Sequence, residues 1–156
     1  MPVRKIISGG QTGADRAALD FALEYNFETG GWIPKNRLAE DGRISEKYPN
    51  LRETESENPA ERTELNVRDS DATLIFSYGG LKGGSKLTLE MCDKHAKPRL
   101  HIDFEKTDFS QAVKKAQQFI IFGNFRTLNI AGARASEEAR IYEKVKNFLE
   151  EVFKVL

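Results

Sequence analysis

Three glycine-rich turns hold the residue types best suited to chemistry. The first, "SGGQTGADR", carries an apolar stretch straight into a polar helix start. A helix N-terminus there exposes unpaired N–H groups and about half a positive charge, which suits a phosphate or another oxyanion. Gly9, Gly10, Gln11, Thr12 and Gly13 would form the cradle. Thr12 and Asp15 resemble a capping pair, and Arg16 suits an exposed helix charge. The stretch lacks the Gly-Lys-Ser/Thr ending of a P-loop and the spacing of a dinucleotide fingerprint. A plain strand-to-helix turn would use the same residues.

The second turn, "SYGGLKGGSKLTLE", places Gly79, Gly80, Gly83 and Gly84 directly after a buried strand. Folding alone explains so many glycines poorly, because each adds conformational entropy to the unfolded chain. An anion-binding nest at the next helix start accounts for them, with Gly83, Gly84 and Ser85 nearest the ligand and Thr88 one turn on. A flexible loop with Ser85 as N-cap is the plainer account. In the third turn, "AGARAS", Gly132 ends a strand, Arg134 can fork onto an oxyanion, and Ser136 suits an N-cap. Arg134 taken alone is equally a surface charge.

Other conspicuous residues read more plainly. Cys92 falls in a helical stretch as a small packed side chain. His95 lies near a helix end and His101 in a strand, so no protein-ligated metal is expected. Trp32 suits either stacking on a planar ring or plugging the base of a loop.

These turns need elements to hold them. "VRKIIS", "FETGGWIP", "ATLIFSYGG", "PRLHID" and "RTLNIAG" read as strands. Between them "TGADRAALDFALEYN", "ERTELNVRDSD", "SKLTLEMCDKHA" and "FSQAVKKAQQFIIF" read as helices, and "SEEARIYEKVKNFLEEVFKVL" as the last. Ala14, Ala17, Ala18, Phe21, Ala22 and Tyr25 share one helical face, as do Ile141, Val145, Phe148, Leu149 and Val152. Residues 35–59 are polar and aperiodic, a long loop for a compact domain. Alternation of strand and helix implies an α/β fold, a mostly parallel five-stranded sheet with helices on both faces. Ligands of such sheets bind at the carboxyl ends of the strands, where Gly9, Gly30-Gly31, Gly79, Asp103 and Gly132 are expected.

Composition limits the class. At 156 residues the chain reads as a single ligand-binding domain, 1–156. Lys plus Arg and Asp plus Glu are 24 each, so no cationic excess favours nucleic acid. No apolar run approaches a membrane span, and the N-terminal apolar stretch is too short for a signal peptide. A single cysteine cannot form an internal disulfide, and a cytoplasmic address is the simplest.

"SGGQTGADRAALD", "GGWIPKNRLAEDG", "RTELNVRDSDATLIFS", "GGSKLTLEMCDKHAKP" and "NIAGARAS" together cover most of the chain. As an ordered set they resemble the molybdenum-cofactor carrier family, a branch of the Rossmann-like superfamily that includes DNA-processing proteins and cytokinin-activating phosphoribohydrolases. The resemblance implies a Rossmann-like, doubly wound fold, a molybdenum cofactor, another phosphorylated pterin or a nucleotide held in the glycine-lined crevice, and members that can be homo-oligomeric. It also implies an alternative: a nucleoside-monophosphate N-glycosidase, with Arg62 as its catalytic arginine and Glu90 as the terminal glutamate of a Pro-Gly-Gly-x-Gly-Thr-x-x-Glu signature. There Glu90 would stabilise an oxocarbenium-like state or activate water while Arg62 fixes the phosphate or orients the ribose. This chain departs from the signature at Lys86 and Leu87, so little release of free base is expected. A nucleotide-sensing module is the third alternative.

Overall fold

Strands whose alternate side chains are apolar bury one face against helices, and here that face builds the main core. The computed structural model describes residues 3–156; Met1 and Pro2, part of the N-terminal stretch read above, lie outside the described residues. The elements run β1 (Lys5–Ile7), α1 (Ala14–Glu24), β2 (Glu28–Ile33), a 3-10 turn (Lys35–Arg37), β3 (Leu38–Ala39), β4 (Gly42–Arg43) and β5 (Leu51–Glu53). They continue with α2 (Pro59–Arg68), β6 (Ala72–Ser77), α3 (Gly83–Lys94), β7 (Arg99–Asp103), α4 (Phe109–Gly123), β8 (Thr127–Gly132) and α5 (Ile141–Phe153).

The main sheet has the order β5-β2-β1-β8-β6-β7, and every pairing in it is parallel. From β1 the chain winds outward through β2 to β5, crosses to β6 and β7, and returns as β8 between β1 and β6. The strand order therefore reverses beside β8, where the carboxyl ends of β1, β8 and β6 open a crevice. Gly9 and Gly79 follow β1 and β6, and Gly132 closes β8, so all three lie at that edge.

The sheet's two faces differ in chemistry. Ile6, Leu74, Phe76, Leu128 and Ile130 pack with Ala14, Ala18, Phe21, Ala116, Ile120, Val145 and Phe148 from α1, α4 and α5. Full burial of each large apolar side chain contributes about 1.5–3 kcal/mol. Toward α2 and α3 the strands present smaller polar groups: Thr73, Ser77 and Asn129 are buried, and Asn129 Nδ2 donates to Thr73 Oγ1 at 3.2 Å. Cys92 of α3 is buried with them, with its thiol pushed up by burial. It is a packed side chain.

Several expectations change. The sheet has six strands, because β5 arises from the stretch expected to be a loop. Residues 35–59 also hold the antiparallel β3–β4 pair and supply Ala39, Ile44 and Tyr48 to a second core with Leu19 and Ile33. Three short strands and three buried apolar residues without periodicity leave no pattern to read. Gly30 and Gly31 lie inside β2; a Cβ on Gly31 would meet the Ser8 carbonyl oxygen at 2.2 Å, so that glycine serves strand packing. The last helix begins at Ile141, so Ser136 is no N-cap. Gly13 rather than Thr12 is the N-cap residue of α1, with no side-chain cap bond. Lys82 rather than Ser85 occupies that position in α3, which leaves Ser85 inside the helix.

Candidate functional site

β1 delivers the first turn to the crevice and the turn folds upon itself. Gly10 N–H donates to Ser8 Oγ at 3.3 Å, Gln11 N–H to Asp15 Oδ2 at 3.2 Å, and Thr12 N–H to Gln11 Oε1 at 3.0 Å. These N–H groups hold their own loop rather than facing a ligand. The side chain of Gln11 is nonetheless aimed. Its Oε1 also accepts the Glu40 N–H at 2.9 Å, which fixes the amide orientation and leaves Nε2 as a donor with no partner among the described residues.

α2 supplies Arg62 from the other side. Asn58 caps this helix by accepting the Ala60 N–H, and Pro59 starts it. The guanidinium crosses the end of β1 where Gly9 has no side chain; a Cβ there would stand 2.3 Å from Nη1. Nη1 lies 3.6 Å from Asp15 Oδ2, and the Arg62 side chain is 12% exposed. Nε is sealed from solvent with no hydrogen-bond partner, the only such side-chain atom among the described residues. Burial pushes the Arg62 guanidinium below its ordinary value, opposed by Asp15. Burial likewise pushes the Asp15 carboxyl up, opposed by Arg62. For both ions desolvation outweighs the attraction of the partner.

α3 contributes its N-terminus. Its first ladder bond runs from Lys86 N–H to the Lys82 carbonyl at 3.4 Å, so the N–H groups of Gly83, Gly84 and Ser85 precede the ladder. Ser85 is buried and its Oγ makes no hydrogen bond among the described residues. Thr88 Oγ1 is occupied by the Gly84 carbonyl at 2.9 Å. After β8 comes Arg134, whose nearest carboxylate oxygens, on Glu40 and Glu137, are both 3.9 Å away, too far for hydrogen bonds.

Gln11, Asp15, Arg62, Gly84, Ser85, Thr88, Gly132 and Arg134 thus line one cleft, together with Ala131 and Glu137. Its volume is about 30 Å³, well below the roughly 300–1,000 Å³ of a pocket enclosing a whole small molecule. Two guanidiniums face two carboxylates, so directional donors rather than a net positive field would select an anion. Cavities of about 500 Å³ beside Trp32 and Arg52 and about 570 Å³ beside Tyr25 and Phe153 lie elsewhere, and neither holds a sealed donor without a partner. Trp32 itself donates through Nε1 to Asp69 at 2.9 Å and is stacked by Arg52, which makes it a structural plug.

Some expected site residues stand apart from the cleft. Gly10 packs against Ile44 and Ile33, and Gly13 against Ala133. Thr12 Oγ1 donates to Glu40 and accepts the Ala135 N–H at 3.1 Å. Gly79 N–H is held by Asp103 at 2.8 Å, while Gly80 lines a neighbouring cavity of about 20 Å³ across the start of α3. Glu90 is exposed on α3 and does not line the cleft. Its helical position turns it away from Thr88, which does line the cleft. Glu40 and Glu137 were not foreseen. Glu40 accepts Ser136 N–H at 3.1 Å and Ser136 Oγ at 2.5 Å, clamping the β3–β4 turn onto the third glycine turn. Burial alone would raise its carboxyl, but these donors and Thr12 hold it below its ordinary value. The clue to Glu137 was the pair of glutamates following "AGARAS"; nothing in sequence links Glu40 to a segment so distant.

Among the described residues no three His, Cys, Asp or Glu side chains cluster as metal ligands, and no helix is long and apolar enough to cross a membrane.

Residues 6–153 match the model of the circularly permutated YpsA SLOG family. The chain belongs to that family. The crystal structure at 1.45 Å of a protein from Syntrophus aciditrophicus SB, provisionally named a molybdenum carrier protein, is 47% identical, with a TM-score of 0.95 over 97% of this chain and 96% of that one. (E)-4-Hydroxy-3-methyl-but-2-enyl diphosphate reductase aligns at a TM-score of 0.42 and 13% identity, over 96% of this chain and 59% of its own; at that level it carries no argument. No curated protein matches the chain.

Proposed function

We propose that this member of the circularly permutated YpsA SLOG family is a carrier that grips the oxyanion head of a phosphorylated ring compound in the cleft between β1, β8 and α3. One observation carries the proposal: Arg62, Gln11 and Ser85 line a single cleft, and Arg62 Nε is a sealed donor with no partner among the described residues. Buried donors are almost always satisfied in folded proteins, so this one supports a ligand that supplies acceptors to it and to the neighbouring donors of Gln11 and Ser85. A tetrahedral oxyanion fits them. It offers lone pairs in several directions, it compensates Arg62, and the start of α3 favours its charge. Gly9, Gly10, Gly13, Thr12, Gly79, Gly80 and Gly83 serve by shaping the turns around this head site.

Because the cleft is small, the ring of the ligand lies outside it. The cargo is a molybdenum cofactor, another phosphorylated pterin or a nucleotide. The name of the neighbour from Syntrophus aciditrophicus favours the first. The lining offers no set of three metal-ligating side chains, so molybdenum would arrive held by its own ligands or as an oxyanion. The cytoplasm is the proposed compartment. N-glycosidase chemistry is not taken up, since its carboxylate, Glu90, stands outside the cleft.

Native mass spectrometry of freshly purified protein tests the proposal. A phosphorylated pterin or nucleotide released from the complex is the expected result. A bare chain that also fails to bind molybdate, orthophosphate and nucleoside monophosphates would overturn it.

A further inference from the structure

At the end of the molecule away from the glycine turns, α1 and α5 finish around a cavity of about 570 Å³. Tyr25 closes α1, Lys154 closes α5 and Phe27 leads into β2, and all three line it, so it opens at the amino edge of the sheet. Unlike the oxyanion cleft, it has the size of a pocket that encloses a whole small molecule. Its wall is aromatic. Ring centroids lie 4.9 Å apart for Phe21 and Tyr25, 5.6 Å for Phe21 and Phe27, and 5.1 Å for Phe27 and Phe153. Phe21 and Phe153 belong to the core, whereas Tyr25 beside them is 47% exposed. The charge around this wall is one-sided. Glu150 and Glu151 line the cavity against Lys154 alone. Lys154 Nζ stands 3.8 Å from Glu151 Oε1, too far for a hydrogen bond, and both side chains are at least half exposed, so this pair neutralises little. Glu150 Oε2 accepts the Tyr25 hydroxyl at 2.5 Å, which holds that carboxylate beside the ring. Neither α1 nor α5 has a basic residue in its last turn. The partial negative charge of each helix end, about half an elementary charge, therefore adds to the carboxylates.

We infer that this cavity is a second binding site, for a small organic cation: an ammonium or quaternary ammonium group carried on an apolar, ring-sized body. The aromatic wall buries the apolar body, and its π-systems attract the positive charge. Glu150, Glu151 and the two helix ends supply the countercharge. The same groups repel an anion, so the phosphorylated cargo of the oxyanion cleft does not suit this place. The site stands on residues that the cleft does not use, and it is independent of the carrier reading.

Three probes that share one ring and differ in charge test the inference. The purified chain is titrated calorimetrically, at one ionic strength, with benzyltrimethylammonium, benzyl alcohol and phenylacetate. The cation is expected to bind about tenfold more tightly than the alcohol, and phenylacetate more weakly than either. Chemical-shift changes on adding the cation should centre on Tyr25, Phe27 and Phe153. The double substitution Glu150→Gln and Glu151→Gln should remove most of the preference for the cation while leaving the affinity for benzyl alcohol unchanged, an outcome that general loosening of the fold would not give. Tyr25→Leu, at a half-open position, should keep the Tm and weaken the cation several-fold. A cation that fails to bind, an alcohol or phenylacetate that binds as tightly, or a preference that survives the double substitution overturns the inference. None of these outcomes touches the oxyanion cleft, which orthophosphate binding tests separately.

Discussion

The first and second glycine turns look alike in sequence and do opposite things. In the first, a Cβ on Gly9, Gly10 or Gly13 would meet protein atoms at 2.3, 2.9 and 2.4 Å respectively, and the N–H groups of Gly10, Gln11 and Thr12 already have partners. In the second, nothing lies within 4 Å of a Cβ on Gly80 or Gly84, and the first N–H groups of α3 stand ahead of the helical ladder. One turn is glycine-rich so that the protein can pack, while the other leaves open space at Gly80 and Gly84. Sequence cannot separate these causes, because a missing side chain leaves the same letter in both.

Substitutions should pull the two turns apart. The largest effect belongs to Gly13→Val: its φ of +82° and the Ala133 carbonyl oxygen both exclude a branched side chain. A loss of about 3 kcal/mol or more is expected from denaturant unfolding. A tolerated valine would contradict the packing role.

Next comes Asp103, which braces the second turn by accepting the N–H groups of Gly79 at 2.8 Å and Glu105 at 2.9 Å. Burial tends to raise its carboxyl, but these donors outweigh it and hold the group below its ordinary 3.8. A depressed folded value means stability that is fully present above pH 3.8 and lost as the pH falls through the folded value. Asp103→Ala should cost about 2 kcal/mol and flatten that acid limb. Hydrogen exchange should quicken at Gly79 and Glu105 while the first turn stays protected. Equal quickening in both turns would mean that they are one unit.

Gly9→Ala follows. Because the displaced group is the movable end of Arg62, stability should fall by only about 1 kcal/mol. Orthophosphate binding should nevertheless be lost, since the guanidinium no longer crosses the end of β1. Retained affinity would show that Arg62 does not need that path.

Gly84→Ala has the smallest expected effect on folding and runs the other way. Alanine suits a helical position with open space, so the protein should gain up to about 1 kcal/mol. Ligand affinity should drop, because the added methyl group lines the cleft. A gain in stability with unchanged affinity would remove α3 from the site.

Much of this architecture was legible. The strand–helix alternation and the apolar stripes of α1 and α5 depend on local periodicity, which sequence displays directly. β5 escaped because a three-residue strand has no period, and the second core escaped because Ile44 and Tyr48 are buried by tertiary contact alone. The cleft was half legible: Gln11, Ser85 and Arg134 stood out beside their glycines, and Arg62 through resemblance. The unpartnered state of their donors was invisible, being a property of the folded hydrogen-bond network. So was the part played by Glu40 and Glu137, whose partners come from packing rather than spacing.

The central claim is that Arg62 and its neighbours await an oxyanion, and thermal unfolding under orthophosphate tests it most directly. A ligand at about 100 times its dissociation constant adds about 2.7 kcal/mol to the folded state, which raises Tm by several degrees. The native chain should show that rise with orthophosphate and not with equal ionic strength of chloride. Arg62→Met, which keeps much of the packing of the stem, should show none. No rise in the native chain, or an equal rise in Arg62→Met, would contradict the account.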